Sequence, residues 1–276
     1  MFFRLRRITV GDDNVNMTTV SHHLPGALVC LAGAMFLTLN FSCESGPTFP
    51  RPTGTAYRFE GALVKDLNTG FTHIRATFTR SDTLLPQAGI WFGGDSLAYL
   101  PDSMYHRAVL PTEDYPEGSY TIVIQDSTLF VDTLPASIPD TFSIQNVYPA
   151  TRRKTVYPVR VEWYAAAGAG GYVIATAKRD SIYTGAGFSQ YVTSLATSET
   201  FPDSAFFGIN NQFDTGWYNL YVYAYVGAPD SALSADLLPV PLPSQLTGNL
   251  SGKNLEGRFG AVVVAALDSM HVVLEE

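Results

Sequence analysis

The sequence predicts an all-β protein in which two antiparallel β-sandwich domains follow an export signal. Apolar and polar residues alternate over many short stretches, which is the period of a half-buried strand. Gly and Pro occur 23 and 17 times, as expected for a chain with many tight turns. Beyond the amino-terminal leader, no window shows a long apolar stripe at helical spacing with capping residues.

Residues 1–42 are predicted to be a signal peptide. The stretch 26–42 carries no charge, but it is too short and too rich in Gly and Ala for a membrane-spanning helix. An ordinary cleaved signal and a retained membrane anchor are the alternatives, and Met17 is an alternative to Met1 as the initiator.

Cys43 directly follows this leader and would be the single cysteine of the processed chain, since Cys30 lies inside the leader. The region resembles the lipid-attachment signal of bacterial lipoproteins, although Asn40 stands where that signal usually has Leu. The resemblance implies that Cys43 becomes the acylated first residue. The Pro- and Gly-rich segment 44–54 would then be a flexible tether.

Residues 55–137 are predicted to form the first sandwich. Its expected strands alternate in polarity, and Gly93-Gly94-Asp95 is predicted to be a hairpin turn between two of them. The expected strands are 57–64, 72–79, 88–92, 97–100, 119–124 and 128–133. Pro135 and Pro139 mark the boundary that follows. This half looks like a generic immunoglobulin-like sandwich.

Residues 138–241 are predicted to form the second sandwich, and 242–276 a β extension in which Val262-Val-Val264 favours a strand over a short helix. The expected strands are 142–147, 158–164, 172–177, 188–192, 205–209, 217–226, 259–266 and 270–274.

The second sandwich resembles a fibronectin type III domain. Three motifs support this: a strand ending at Trp163, a strand opening at Gly171-Tyr172, and Gly216-Trp-Tyr218 leading an alternating strand. The resemblance implies that a large aromatic residue fills the core and that Tyr218 is a tyrosine corner. The whole layout, including Arg258-Phe-Gly260, also resembles uncharacterised lipoproteins of Gram-negative bacteria.

Composition argues against a nucleic-acid partner. The formal net charge is −8, and the cationic cluster Arg152-Arg153-Lys154 is predicted to be a solvated loop. The histidines of the mature chain do not have the spacing of metal ligands. No cofactor motif is present, so neither a metal nor a cofactor is expected.

One enzymatic alternative comes from short motifs. Gly94-Asp95-Ser96-Leu97 resembles the signature of the serine hydrolase family named for those residues. Gly208-Ile-Asn210 resembles the oxyanion-hole block of that family, and Asp268-Ser-Met-His271 has the spacing of its terminal Asp-x-x-His. The resemblance implies Ser96 as nucleophile, His271 as base, Asp268 as orienting acid, and Asn210 with Gly94 as oxyanion donors. The context disagrees, because no helix follows Ser96. Residues three apart on a strand also face opposite ways.

A binding surface is suggested by Tyr221, Tyr223 and Tyr225, which alternate along one strand and therefore share one face. Stacked phenols suit sugar rings or a protein partner. Cover of this face by the 180–215 segment or by the carboxyl-terminal tail is the favoured prediction, and the three tyrosines are the candidate binding residues if the face is open.

These observations predict a non-enzymatic protein that is anchored by lipid to the cell envelope, most simply at the outer membrane. It would act by binding or scaffolding, with a membrane and an envelope protein or polysaccharide as its partners. Carbohydrate binding on the tyrosine face and ester hydrolysis at Ser96 are the alternatives.

Overall fold

Strands dominate the described part of the chain, and the all-β prediction is confirmed. The computed structural model describes residues 57–127, 129–153, 158–179, 187–192, 195–208, 210–251 and 254–274. The strands of the first half are β1 (Tyr57–Asp66), β2 (Phe71–Arg80), β3 (Thr83–Leu84), β4 (Gly89–Phe92), β5 (Asp95–Ser96), β6 (Ala98–Leu100), β7 (Tyr105–Pro111), β8 (Gly118–Asp126) and β9 (Leu129–Ile138). The strands of the second half are β10 (Ile144–Tyr148), β11 (Thr151–Arg153), β12 (Val159–Trp163), β13 (Gly171–Lys178), β14 (Phe188–Tyr191), β15 (Ser198–Phe201), β16 (Gly216–Gly227), β17 (Leu250–Ser251), β18 (Leu255–Val264) and β19 (Asp268–Val273).

The described strands form three sheets. The large sheet has 12 strands along the path β11-β19-β16-β18-β1-β2-β7-β6, with β13, β14, β17 and β3 attached beside it. The second sheet has the order β5-β4-β8-β9, and the third has the order β10-β12-β15. Helix is confined to α1 (Ser231–Ser234) and to 3₁₀ turns at Thr112–Asp114 and Asp203–Phe206 among the described residues.

Each smaller sheet packs against a different part of the large sheet. Phe92 of the second sheet contacts Phe259 of the large sheet, with ring centroids 5.9 Å apart. Trp163 of the third sheet contacts Tyr172 of the large sheet at 5.3 Å. Two sandwich layers are therefore present, and their apolar side chains belong to one continuous core.

Hydrogen bonding crosses the predicted boundaries between 55–137, 138–241 and 242–276. Strand β18 of the predicted extension inserts between β1 and β16, and it runs parallel to β1 from Leu255 to Val264. All described residues belong to one compact unit. The carboxyl-terminal strand therefore joins the sheets of the two predicted sandwiches, and its pairing with β1 is parallel.

The valine run of β18 is buried on both faces, as in the central strands of parallel sheets. Val263 points into the sandwich core, whereas Val262 and Val264 lie in a second apolar cluster on the outer face. The strand passes very close to β1 at Gly257, where φ is +137° and a Cβ atom would lie 1.9 Å from the Phe59 carbonyl oxygen. Only glycine fits this position.

The fibronectin-like features of the second half are present. Trp163 is fully buried in the core. The Tyr218 hydroxyl lies 3.0 Å from the carbonyl oxygen of Asp214, four residues upstream, to which it donates a hydrogen bond. Burial, assisted by Asp214, raises the pKa of Tyr218 to about 12. This is the arrangement of a tyrosine corner.

Two local predictions differ from the structure. The expected strand 205–209 is not formed over its described residues 205–208, because residues 205 and 206 lie in the 3₁₀ turn Asp203–Phe206 and Phe207 forms an isolated bridge with Phe213. Arg152 is buried rather than solvated, because it lies on β11 beside β19 and forms an ion pair with Asp203.

Candidate functional site

The outer face of the large sheet is the surface on which the tyrosine strand lies. Along β16, Leu220, Val222 and Ala224 point into the sandwich core. The intervening side chains, among them Tyr221 and Tyr223, point to the opposite face. The sequence correctly placed the tyrosines together on one face of one strand.

That face is covered over most of its tyrosines. Residues 228–245, which we call the strap, cross the sheet and place Leu238, Val240 and Leu242 against Tyr223 and its neighbours. Tyr223 is fully buried and Tyr221 nearly so, whereas Tyr225 is partly buried. The tyrosine face is therefore covered, so Tyr221 and Tyr223 do not form an open binding surface. The strap provides the cover, and only its last residues, from Leu242 onward, belong to the carboxyl-terminal tail that was predicted to lie there.

Tyrosine hydroxyls on this face form hydrogen bonds to the strap backbone. The Tyr223 hydroxyl donates to the carbonyl oxygen of Val240 and accepts from its N–H, both at 3.1 Å. The Tyr191 hydroxyl donates to the carbonyl oxygen of Ser244 at 2.8 Å. Burial raises the pKa of Tyr223 and of Tyr221. These phenols stabilise the fold.

The same face is open beyond the strap, at the start of β16. Trp217 retains 43% of its surface exposure, and its ring stacks on His271 with centroids 4.9 Å apart and planes 19° apart. The Arg179 guanidinium lies 5.8 Å from the Trp217 ring centre. We call Trp217, His271, Arg179 and the adjacent Asn219 the Trp217 platform.

Strand pairing places the members of the Trp217 platform. Trp217 stands directly opposite His271 in the antiparallel pair of β16 and β19. The backbone N–H of Arg179 donates to the carbonyl oxygen of Trp217 at 2.8 Å. Asn219 follows on the same face and donates to the Tyr221 hydroxyl at 3.3 Å. Sequence reasoning missed Trp217 as a surface residue, although it belongs to the same alternating series as the three tyrosines.

The hydrolase-like residues are dispersed. Ser96 is exposed on β5, at the edge of the second sheet, where it pairs with Trp91. Asp268 and His271 lie on β19 of the large sheet, and Asn210 is an exposed turn residue. No hydrogen bond connects any two of these four side chains in the described structure.

Strand geometry explains why Asp268 and His271 do not form a catalytic pair. Residues 270 and 272 of β19 are buried in the sandwich core, which puts Asp268 on the inward side and His271 on the outward side. His271 instead stacks on Trp217. The structure therefore does not place the aspartate where it could orient the histidine.

The Gly-Asp-Ser-Leu block has a structural explanation. Gly93 and Gly94 have φ values of +60° and +105° and form the predicted hairpin turn. Asp95 accepts a hydrogen bond from the Tyr115 hydroxyl at 2.5 Å, and Leu97 is buried in the core. Burial, with help from Asp95, raises the pKa of Tyr115.

A separate cleft of about 350 Å³ opens where β8 and β9 approach β16 and β18. Tyr120 and Phe259 supply its aromatic surface, and none of its lining residues is charged. The Asn249 amide that lines it is engaged at both ends by the Phe259 backbone, at 2.9 and 3.0 Å. The cleft offers mainly apolar surface.

Three further expectations concern lipid, membrane and metal. Cys43, the predicted lipidation site, lies outside the described residues. Among the residues that are described, no helix has the length and apolar character needed to cross a membrane. Nor do three or more His, Cys, Asp or Glu side chains there come together in a group that could hold a metal ion.

Comparison with known proteins identifies no family. No protein-family description matches the sequence, and no curated protein matches it either. Similar solved structures include the FN1–FN3 domains of chicken CNTN1, at 12% identity, a TM-score of 0.26, and coverage of 77% of this chain and 63% of that one. The fibronectin(III)-like modules of CbhA from Clostridium thermocellum match at 9% identity and a TM-score of 0.29, with coverage of 78% and 90%. Both matches are to fibronectin type III modules.

Proposed function

We propose that this protein is a non-enzymatic binding or scaffolding module that is held at the cell envelope by a lipid on Cys43. It engages its ligand through the Trp217 platform. The observation that carries the proposal is the exposure of Trp217 on a sheet face whose neighbouring aromatic residues are buried.

The Trp217 platform has the properties of a prepared binding surface. A large aromatic ring left exposed usually serves contact with another molecule. Here the ring is also held in one orientation, because it stacks on His271 from the directly paired strand. A ligand that stacks on it therefore meets a surface that is already ordered, which reduces the entropy lost on binding.

Carbohydrate capture is the second candidate, and the flat Trp217–His271 stack favours it. The apolar face of a sugar ring packs on an exposed aromatic ring, while polar groups beside it take the hydroxyls. Arg179 and Asn219 supply such groups next to Trp217. The surface proposed for carbohydrate is therefore the open end of β16 at Trp217, and not the buried tyrosines of the same strand.

The envelope location rests on the amino-terminal sequence. The uncharged stretch 26–42, the cysteine that follows it and the Pro-rich tether 44–54 support export, acylation and a flexible attachment, most simply at a Gram-negative outer membrane. Metabolic labelling with a palmitate analogue tests the anchor directly. We expect label on the wild-type protein and none on a Cys43→Ser variant, and equal labelling would contradict the proposal.

Binding is tested with a glycan array that includes envelope polysaccharides, followed by titration of any glycan bound. We expect Trp217→Ala to weaken binding at least about tenfold, equivalent to about 1.4 kcal/mol. Tyr164→Ala is the matched control, since Tyr164 is also exposed, at 56%, but lies outside the Trp217 platform. Equal binding by the wild-type and Trp217→Ala proteins would refute the assignment of this surface.

If no glycan binds, cross-linking in intact cells tests scaffolding. A photoreactive amino acid at position 217 should then capture an envelope protein, and the same probe at position 164 should not. Ester hydrolysis is not proposed, because no observed geometry favours it.

A further inference from the structure

A pair of arginines lies on the outer face of the large sheet, at the margin of the strap. Arg75 on β2 and Arg107 on β7 stand directly opposite each other in an antiparallel pair. Like charges in this position destabilise a sheet unless something compensates them. His73 lies on the same face of β2, two residues before Arg75.

One carboxylate, that of Asp236, pairs with Arg75. Arg75 is only 6% exposed, and its Nη1 and Nη2 atoms donate to the two carboxylate oxygens of Asp236, at 2.5 and 3.0 Å. Its Nη1 also donates to the Leu233 carbonyl oxygen at 3.3 Å, and the Tyr105 ring centre lies 4.8 Å from the guanidinium carbon. The Nε atom of Arg75 is buried and has no hydrogen-bond partner in the described structure.

Arg107 has less compensation. It makes no hydrogen bond or ion pair with another described residue, and its Nε atom is buried without a partner. Its neighbour on the other side, in edge strand β6, is Ala98. A methyl side chain is too short to cover a guanidinium group. Asp236, which comes from the strap and whose side chain is 69% exposed, therefore forms an ion pair with Arg75 and none with Arg107.

The surrounding groups respond to this excess of positive charge. Burial is the main cause that lowers the pKa of His73, and Arg107 and Arg75 lower it further, against opposing effects of Asp66 and Asp236. The Arg75 hydrogen bonds lower the pKa of Asp236, and Arg107 also contributes. The Nδ1 atom of His73 is likewise buried without a hydrogen-bond partner among the described residues.

We propose that Arg107 and Arg75 form a binding site for an oxyanion, and that Asp236 occupies part of it in the free protein. The ligand group is a carboxylate, sulfate or phosphate of a small molecule or acidic sugar. Guanidinium groups bind these groups through paired N–H donors. A bound oxyanion contacts the free donors of Arg107 and competes with Asp236 for those of Arg75. This site is separate from the Trp217 platform and does not depend on it.

The test titrates the purified full chain with sodium sulfate, phosphate or acetate at constant ionic strength, with sodium chloride as the control salt. The arginine Nε–H signals are followed by NMR. We expect a saturable shift of the Arg107 and Arg75 signals with at least one oxyanion and none with chloride. Comparison of the three anions shows which group the site prefers.

Two variants give opposite expected results. Arg107→Met removes the uncompensated donors and should weaken binding about tenfold, which corresponds to about one charge-assisted hydrogen bond. Asp236→Asn removes the competing carboxylate and should strengthen binding by a similar factor. Arg160→Met is the control, because Arg160 is exposed on β12 and pairs with Glu162.

Three results would overturn the proposal: shifts that do not saturate, shifts that chloride reproduces, or binding that Arg107→Met leaves unchanged. Circular dichroism checks that each variant is folded. If Arg107→Met does not fold, Asp236→Asn decides alone, because unchanged or weaker binding by that variant contradicts competition between Asp236 and the anion.

Discussion

The strap can be tested through one hydroxyl group. Tyr223→Phe keeps the ring and removes the oxygen that hydrogen-bonds both to the N–H and to the carbonyl oxygen of Val240. Val240 is only 2% exposed, so neither backbone group can turn to water. A buried polar group left without a partner costs about 1–3 kcal/mol.

Two such groups predict a loss of about 3 kcal/mol in the free energy of unfolding. For a domain of this size, that corresponds to a decrease in Tm of roughly 6–12 °C. Urea and thermal unfolding, followed by circular dichroism, measure both quantities. Tyr225→Phe is the matched control, because Tyr225 lies on the same face but its hydroxyl has no hydrogen bond within the described structure, and we expect a change below about 0.5 kcal/mol.

Comparing Tyr223→Phe with Tyr225→Phe shows whether the strap covers the Tyr223 hydroxyl. If the strap did not lie on Tyr223, its hydroxyl would be solvated, and both substitutions would have small and equal effects. Equal stability of Tyr223→Phe and Tyr225→Phe would therefore refute the strap contacts and restore the open tyrosine surface.

Four further results are expected. The pKa values of His106 and His73 are lowered below their ordinary value of 6.5, mainly by burial. The unfolded chain therefore binds protons at a higher pH than the folded protein does. The free energy of unfolding, measured in urea, should fall as the pH decreases through 6.5. Burial also lowers the pKa of Lys65 below 10.5, so the unfolded chain protonates this side chain first, and the stability of the wild-type protein relative to Lys65→Met should rise as the pH increases toward 10.5. Gly257→Ala should lower the free energy of unfolding by at least about 3 kcal/mol in the same assay, since it combines a positive φ with a backbone clash; a neutral effect would contradict the close approach of β18 to β1. Ser96→Ala should leave any hydrolysis of p-nitrophenyl esters unchanged.

Alternation in the sequence was enough to predict strands and their inward side chains. It placed Leu220 and Val222 in the core and Tyr221 and Tyr223 on the opposite face, as the structure shows. It also identified the Gly93-Gly94 turn. These features are local, because each depends on the side-chain direction or backbone freedom of neighbouring residues.

Pairing between distant segments could not be predicted in the same way. The valines of β18 indicated a strand, but nothing in that run specifies that it pairs in parallel with β1, almost 200 residues earlier. A central strand supplied by the carboxyl terminus connects sheets that the order of motifs along the chain had separated.

The strap did leave a signal in the sequence. Leu238, Val240 and Leu242 alternate with three prolines at positions 239, 241 and 243. Proline lacks an N–H group and cannot form a regular sheet ladder, yet its restricted backbone keeps a segment extended. An extended segment with apolar residues at every second position can therefore cover a sheet face without becoming one of its strands.

The cover determines which side chains remain available to a ligand. Burying Tyr223 uses its hydroxyl and ring for stability, so binding on this face depends on groups at the strap's limits. Trp217 lies beyond the strap and offers an aromatic surface, whereas Arg107 lies beside it and offers uncompensated charge. We therefore expect ligand selection to follow the two open regions, with an apolar ring at one and an oxyanion at the other. Loss of one site by mutation should leave the other site's binding intact.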